Sequence, residues 1–229
     1  MAQGKQTPRQ KMINLMYLVF IAMLAMQIDQ EIIRSYNDTN QTLTDTRGLV
    51  EQKNDKIFKK TLEAKAANTP DTYAKPLADY QSLEAKTNDL VSFIDGLKST
   101  LKKESGYDDK VNVDENFTAL NNTEPASNLF FKGSETAPSK NATDLKAKVE
   151  ALKSYITQSF GSSPEMKPVI DRANKTLVTE FEKGVTRNGK NWLQYKFYGQ
   201  PLIAALSNLE VIQSEARNFD NYVLVESPK

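Results

Sequence analysis

The sequence predicts an all-α chain: a single N-terminal transmembrane helix followed by an up-and-down bundle of about four long helices. Three observations carry this. An uncharged apolar run, Met12–Ile28, follows a short basic start. Beyond it, apolar residues recur at steps of three and four, and hardly any stretch alternates with the period of a strand. Apolar residues make up 39% of the 229, low for one compact globule but suited to long helices that each bury one stripe.

The opening stretch is TPRQKMINLMYLVFIAMLAM, from Thr7. At the helical rise, Met12–Ile28 spans roughly 25 Å, near the lower limit for crossing a bilayer. Extension at both ends, with Arg9 and Lys11 reaching to the interface, meets the shortfall. Residues 1–28 hold Lys5, Arg9 and Lys11 and no acid, which sets the N-terminus on the cytoplasmic side. A cleavable signal peptide would share the basic start. Its cleavage motif needs small residues two apart, whereas Ala22 and Ala25 are three apart, and Asp29–Ile33 continues as good helix.

Gln10, Asn14, Tyr17, Ile21, Leu24 and Ile28 project onto one stripe of this helix. Polar groups inside a membrane are costly without a partner, so the stripe is expected to face protein. The competing reading is an interfacial tyrosine with a tolerated asparagine. The span holds no Asp, Glu or His. An ion-coupled role therefore needs a partner that supplies the carboxylate, with Arg9 the nearest counter-charge.

After the span, Ile32, Tyr36, Thr39, Leu43, Thr46 and Val50 form a weak heptad seam, suited to a neighbouring helix or a twin. This first helix is predicted to run through Ile57, Phe58 and Leu62 and to stop near Thr69-Pro70. A second begins around Thr72–Pro76, carries Leu77, Tyr80, Leu83, Leu90, Ile94, Leu97 and Leu101, and closes at Ser105-Gly106. Residues 105–140 lack a clean period and read as a long connection with short local structure. The third helix shows Leu145, Val149, Leu152, Ile156 and Phe160. It is interrupted at Gly161–Pro164, with Ser163 as N-cap, and continues through Val169, Ile170, Ala173, Leu177 and Phe181 to Gly184. After a loop, Pro201 starts the last helix, with Leu202, Leu206, Leu209, Ile212, Ala216, Phe219 and Val223.

Several chemistries are excluded or weak. With no Cys and no His, the chain lacks thiol nucleophiles, imidazole bases and the usual zinc ligands. No catalytic, cofactor or metal site is expected. Outside the first 28 residues, acids slightly exceed bases, which argues against a nucleic-acid partner. Gly184–Asn191 approaches a phosphate-binding loop, but Asn191 stands where a magnesium-binding hydroxyl belongs, and the segment before it reads as helix rather than strand. Trp192–Pro201 gathers the one Trp with three other aromatics, either a partner surface or the end of a core.

The ordered string TPRQKMINLMYLVFIAMLA closely resembles the N-terminal signature of the GldM/PorM family of Bacteroidota gliding motility and type IX secretion, and NWLQYKFYGQPLIAALSNL resembles the end of that family's first periplasmic domain. The resemblance implies an inner-membrane, proton-motive-force-driven motor subunit rather than an enzyme. Two such chains would sit with their spans inside a pentameric GldL/PorL ring. It implies that Arg9 pairs with a membrane glutamate of that partner and that Tyr17 faces the ring, with Asn14, Ile21 and Leu24 on the same stripe. Lys5 and Lys11 are the positive-inside residues. The implied layout is a cytoplasmic tail 1–11, a span 12–28, a periplasmic bundle 29–225 and, from 226–229, a linker toward downstream domains that reach outer-membrane type IX components. The alternative is a passively anchored helical sensor or adhesin domain.

Overall fold

The computed structural model describes residues 4–185 and 187–226, apart from the side chain of Ile28. The first helix, α1 (Pro8–Lys53), starts where Thr7 accepts the Gln10 N–H at 3.2 Å and Pro8 takes the first helical position. Thr satisfies a free amide and Pro lacks one, so the two residues together fix the start. The helix then passes through a π-turn (Asn54–Phe58) into α2 (Lys59–Asn68) without a break. This 61-residue rod is about 90 Å long.

Thr69 alone joins α2 to α3 (Pro70–Ser105). Pro70 occupies the first helical position, so α3 starts a few residues before the predicted point and carries Pro76 within it. Gly106 ends it in the left-handed conformation, φ 75°, as the Ser-Gly stop predicts. The connection holds two short helices, α4 (Phe117–Leu120) and α5 (Glu124–Phe130), and a bridge between Phe131 and Pro138. It is no surface loop: Leu120, Ala126, Phe130 and Phe131 are buried.

Next comes α6 (Lys140–Phe160), capped by Ser139. The expected interruption at Gly161–Pro164 is instead a reversal. A 3-10 turn (Pro164–Met166) leads into α7 (Lys167–Thr176), which returns antiparallel to α6. The pairs Lys146–Glu180 at 3.0 Å and Thr179–Glu150 at 2.6 Å mark the return. The turn needs a glycine at 161, because a Cβ there would lie 2.5 Å from the Thr157 carbonyl oxygen. Ser163 takes the N-cap position ahead of Pro164 as predicted, but its hydroxyl donates to Glu165 at 3.1 Å instead of accepting from the turn. Helix α7 also stops at Thr176 rather than Gly184. Where a plain loop was expected, α8 (Trp192–Phe197) forms, because Asn191 and Gln194 cap it reciprocally at 2.9 Å. The last helix, α9 (Leu202–Glu226), follows Pro201 as predicted. Of the expected linker, residues 227–229 lie outside the described residues.

Polar pairs fix the directions. Arg47 meets Glu210, Glu51 meets Arg217 and Asn54 meets Asn221, so α1 and α9 run parallel. Lys98 meets Glu210 and Thr87 meets Asp220, so α3 runs against both. The core lies between α3, α6 and α9, on Leu83, Leu90, Ile94, Leu145, Ile156 and Phe219 among others. Each such side chain contributes about 1.5–3 kcal/mol on burial. Among the described residues there is no strand, and the chain is all-α with one helix apolar enough to cross a membrane.

Candidate functional site

The predicted site residues lie on the free half of α1, except Lys5, which precedes it. From Pro8 to Ile28 the helix rises about 30 Å, the thickness of a bilayer's hydrocarbon core. None of its most apolar window is buried by the rest of the chain. Arg9 and Lys11 stand exposed in the first turn and Lys5 just before it, with no acid among them. A helix N-terminus is already the positive end of the macrodipole, so two bases there raise the local potential rather than complement it. A carboxylate brought alongside would relieve that.

On the stripe, the Gln10 side-chain amide donates to Asn14 Oδ1 at 3.1 Å. This leaves the Asn14 N–H groups free for a partner and makes Asn14 the least exposed residue of the first turns. Tyr17, Ile21 and Leu24 are exposed; the side chain of Ile28 lies outside the described residues. The structure places the five described members on one unbroken helix and brings none of them to the bundle.

Above the span, α1 meets the bundle one position off the predicted seam. Ile32 and Tyr36 are 48% and 52% exposed, whereas Ile33 is 6% exposed and enters the core. The inward face continues through Asn37, Asn40, Thr44, Arg47, Glu51 and Asn54. It is polar because the facing surface of α9 is polar. Arg34 Nε donates to Asp114 at 2.7 Å, tying the rod to the 107–116 connection at the bundle's membrane-proximal end. Further up, Glu210 has no solvent exposure and takes Arg47 Nε at 2.7 Å and the Lys98 ammonium. Burial alone would raise the Glu210 pKa. Hydrogen bonds from Arg47 and Lys98 outweigh it and hold the carboxylate ionised, below its ordinary range. Arg217 Nε reaches Glu51 at 2.9 Å, and the Asn54 amide donates to the Arg217 carbonyl at 3.2 Å. The π-turn follows directly, adding a residue to the turn where Asn54 is buried.

Sequence reasoning missed this clamp. The signal was present in α9, where Glu210, Gln213 and Asp220 interrupt an apolar helix and all three are buried. Its partners lie more than a hundred residues away in sequence. The other tempting motifs resolve simply. Asn191 caps α8, Lys190 lies over the Tyr198 ring at 5.9 Å, and Thr186 lies outside the described residues. Trp192 and Phe197 are core, Phe197 stacking on Phe130 at 4.1 Å. Among the described residues no cluster of acids offers a metal site.

A family model described as the GldM N-terminal domain matches residues 31–227. The match begins above the apolar segment, so Arg9 and the stripe lie outside it. Compared with curated proteins, the chain gave no match.

Proposed function

The chain belongs to the GldM N-terminal-domain family, and on that premise we propose that it is a non-enzymatic subunit of an inner-membrane motor driven by the proton-motive force. As a member of that family it is a component of gliding motility and type IX secretion. In the proposed arrangement residues 1–11 are cytoplasmic, Met12–Ile28 crosses the inner membrane and the bundle stands in the periplasm. Two copies set their spans in a pentameric GldL/PorL-like ring. A ring glutamate is protonated and released as protons pass, and its ionised state pairs with Arg9. Asn14, Tyr17, Ile21 and Leu24 face the ring, while Lys5 and Lys11 hold the tail on the cytoplasmic side. The bundle hands the motion on toward outer-membrane type IX components.

One observation carries this reading. A single unbroken helix has an acid-free, positive first turn at one end and a charge clamp to the bundle at the other. An ion pair made or broken at Arg9 therefore acts on a rod that is fixed to the body. A passive anchor needs neither feature. The experiment is Arg9→Ala and Arg9→Lys in cells, with assembly checked by purifying the intact complex. The expected result is normal assembly with loss of gliding and secretion; unimpaired function overturns the reading. Replacing Met12–Ile28 with an unrelated apolar helix is the companion test, since a sensor or adhesin on a passive anchor survives that exchange.

A further inference from the structure

On the flank of the bundle away from α1, a groove of about 410 Å³ runs between the segment after α7 and the outer face of α9. Its apolar lining includes Val178, Phe181, Trp192 and Val211, of which Val178 and Val211 are exposed. Its bases are Arg187 and Lys196. Among the described residues neither pairs with a carboxylate. The acid at the rim, Glu215, is taken by Arg172 at 2.7 Å and 3.0 Å.

Arg187 lies instead over the rings of Phe181 and Tyr195, at 5.8 Å and 5.5 Å, and Lys196 over Tyr195 at 6.0 Å. The two cations thus share one aromatic wall. Burial and the neighbouring Arg187 push the Lys196 pKa down, so its charge is held at a cost that an incoming anion would relieve. A second cleft, about 560 Å³, shares Phe181, Arg187 and Trp192 with the groove and adds Lys190 and the Lys146–Glu180 pair. The groove is therefore apolar at its centre and carries on one side two bases, Arg187 and Lys196, that no carboxylate among the described residues takes.

We propose that this groove docks an acidic segment of a periplasmic partner protein, with a carboxylate on the Arg187–Lys196 pair and an apolar side chain between Val178 and Val211. Cationic residues on aromatic faces recognise acidic motifs while apolar contacts set their register. A lipid headgroup fits the charge but not the position. Lys196 lies level with Asn208, whose side-chain amide donates to its carbonyl at 2.9 Å, two residues before Glu210 and its partner Arg47. Arg47 stands about 28 Å along α1 beyond Ile28, whereas headgroups extend about 5–8 Å beyond the hydrocarbon. This height rests on the membrane placement proposed above, but binding in the groove is measured on the purified chain and fails or succeeds separately from motor activity.

The test uses the full chain in detergent and the fluorescence of Trp192, the chain's one tryptophan, which lines the groove. The probes are a short Leu/Glu peptide, its Leu/Lys counterpart and phosphatidylglycerol. The Leu/Glu peptide is expected to shift Trp192 emission saturably, and more weakly as salt rises. Arg187→Glu with Lys196→Gln, checked for a native helical signal, is expected to weaken it at least about tenfold. In cells, a photo-crosslinker at Val211 is expected to capture a segment of another protein rich in Asp or Glu. An unchanged emission, equal binding of the Leu/Lys peptide or of phosphatidylglycerol, undiminished binding by the double variant, or crosslinks only to lipid or to a second copy each overturns the proposal.

Discussion

Arg47 of α1 and Glu210 of α9 are joined by a 2.7 Å bond from Nε to Oε1 at a carboxylate with no solvent exposure. Lys98 of α3 closes the same carboxylate from its other oxygen. Three helices are thus pinned at one point, on the rod whose other half is apolar enough to cross a membrane. Arg47→Met removes one of the two cations on this buried carboxylate and leaves Lys98 on the other, so it is expected to destabilise the fold by about 1.5–3 kcal/mol. Urea unfolding of the full chain in detergent measures it. A loss below about 1 kcal/mol would mean that Lys98 alone satisfies Glu210 and that the clamp is redundant.

A second prediction concerns Asp220, buried on α9 with Thr87 Oγ1 2.8 Å and 2.9 Å from its two oxygens and Arg217 at 3.2 Å. Burial pushes its pKa up to about 7; Thr87 and Arg217 oppose the rise, and Glu84 adds to it. Glu51, Asn54, Tyr80 and Asn88 line the same cleft. An unfolded aspartate titrates near about 3.9. Between these values the folded state binds more protons, so stability falls as pH rises through the window. This contribution is complete below about pH 4 and lost as pH passes about 7. Asp220→Asn removes the titration. It is expected to match wild type near about pH 4 and to exceed it by about 1–3 kcal/mol near about pH 8. Parallel pH profiles of wild type and variant in denaturant unfolding would refute the assignment.

Gly161 tests the reversal between α6 and α7. A Cβ placed 2.5 Å from the Thr157 carbonyl oxygen forces the backbone to move. Gly161→Ala is expected to cost about 1–3 kcal/mol, although residue 161 has right-handed helical backbone, where alanine is otherwise preferred to glycine. Thermal unfolding distinguishes the two signs. A stabilised variant would mean that the helix simply lengthens there.

The stripe on the span predicts separable effects. Asn14→Leu removes the acceptor of the Gln10 bond and the free amide N–H groups, while Tyr17→Phe removes only a hydroxyl. Each is expected to leave the bundle's unfolding midpoint unchanged, because neither touches it, and to weaken recovery of the proposed ring partner, by about 1 kcal/mol for a membrane hydrogen bond. Co-purification yield at fixed expression is the readout. Full yield from both variants would make the stripe an anchor and nothing more.

Most of the helical layout was legible because its signals are local. Thr69-Pro70, Ser105-Gly106 and Pro201 each act within one turn of chain, and each marks a boundary in the structure. The errors lie where a local signal admits two outcomes. Gly161–Pro164 breaks a helix in either reading, and only the packing of α7 back on α6 makes it a reversal. The seam at Ile32, Tyr36 and Thr39 has the right spacing but is exposed, because α9 presents Glu210 and Gln213 and draws the adjacent polar face of α1 inward.

By itself the sequence determined the apolar length of the span, the acid-free positive turn at Arg9 and the helix boundaries at Thr69-Pro70, Ser105-Gly106 and Pro201. Those follow from side-chain solvation and from backbone groups bonded within a turn. Only the tertiary structure decided that α1 lies parallel to α9, that Arg47 meets Glu210 and that Arg187 and Lys196 share a groove whose acid, Glu215, is taken by Arg172. The first two depend on which surfaces meet across more than a hundred residues of chain, and burial turns ordinary charged side chains into a clamp only once that meeting has occurred.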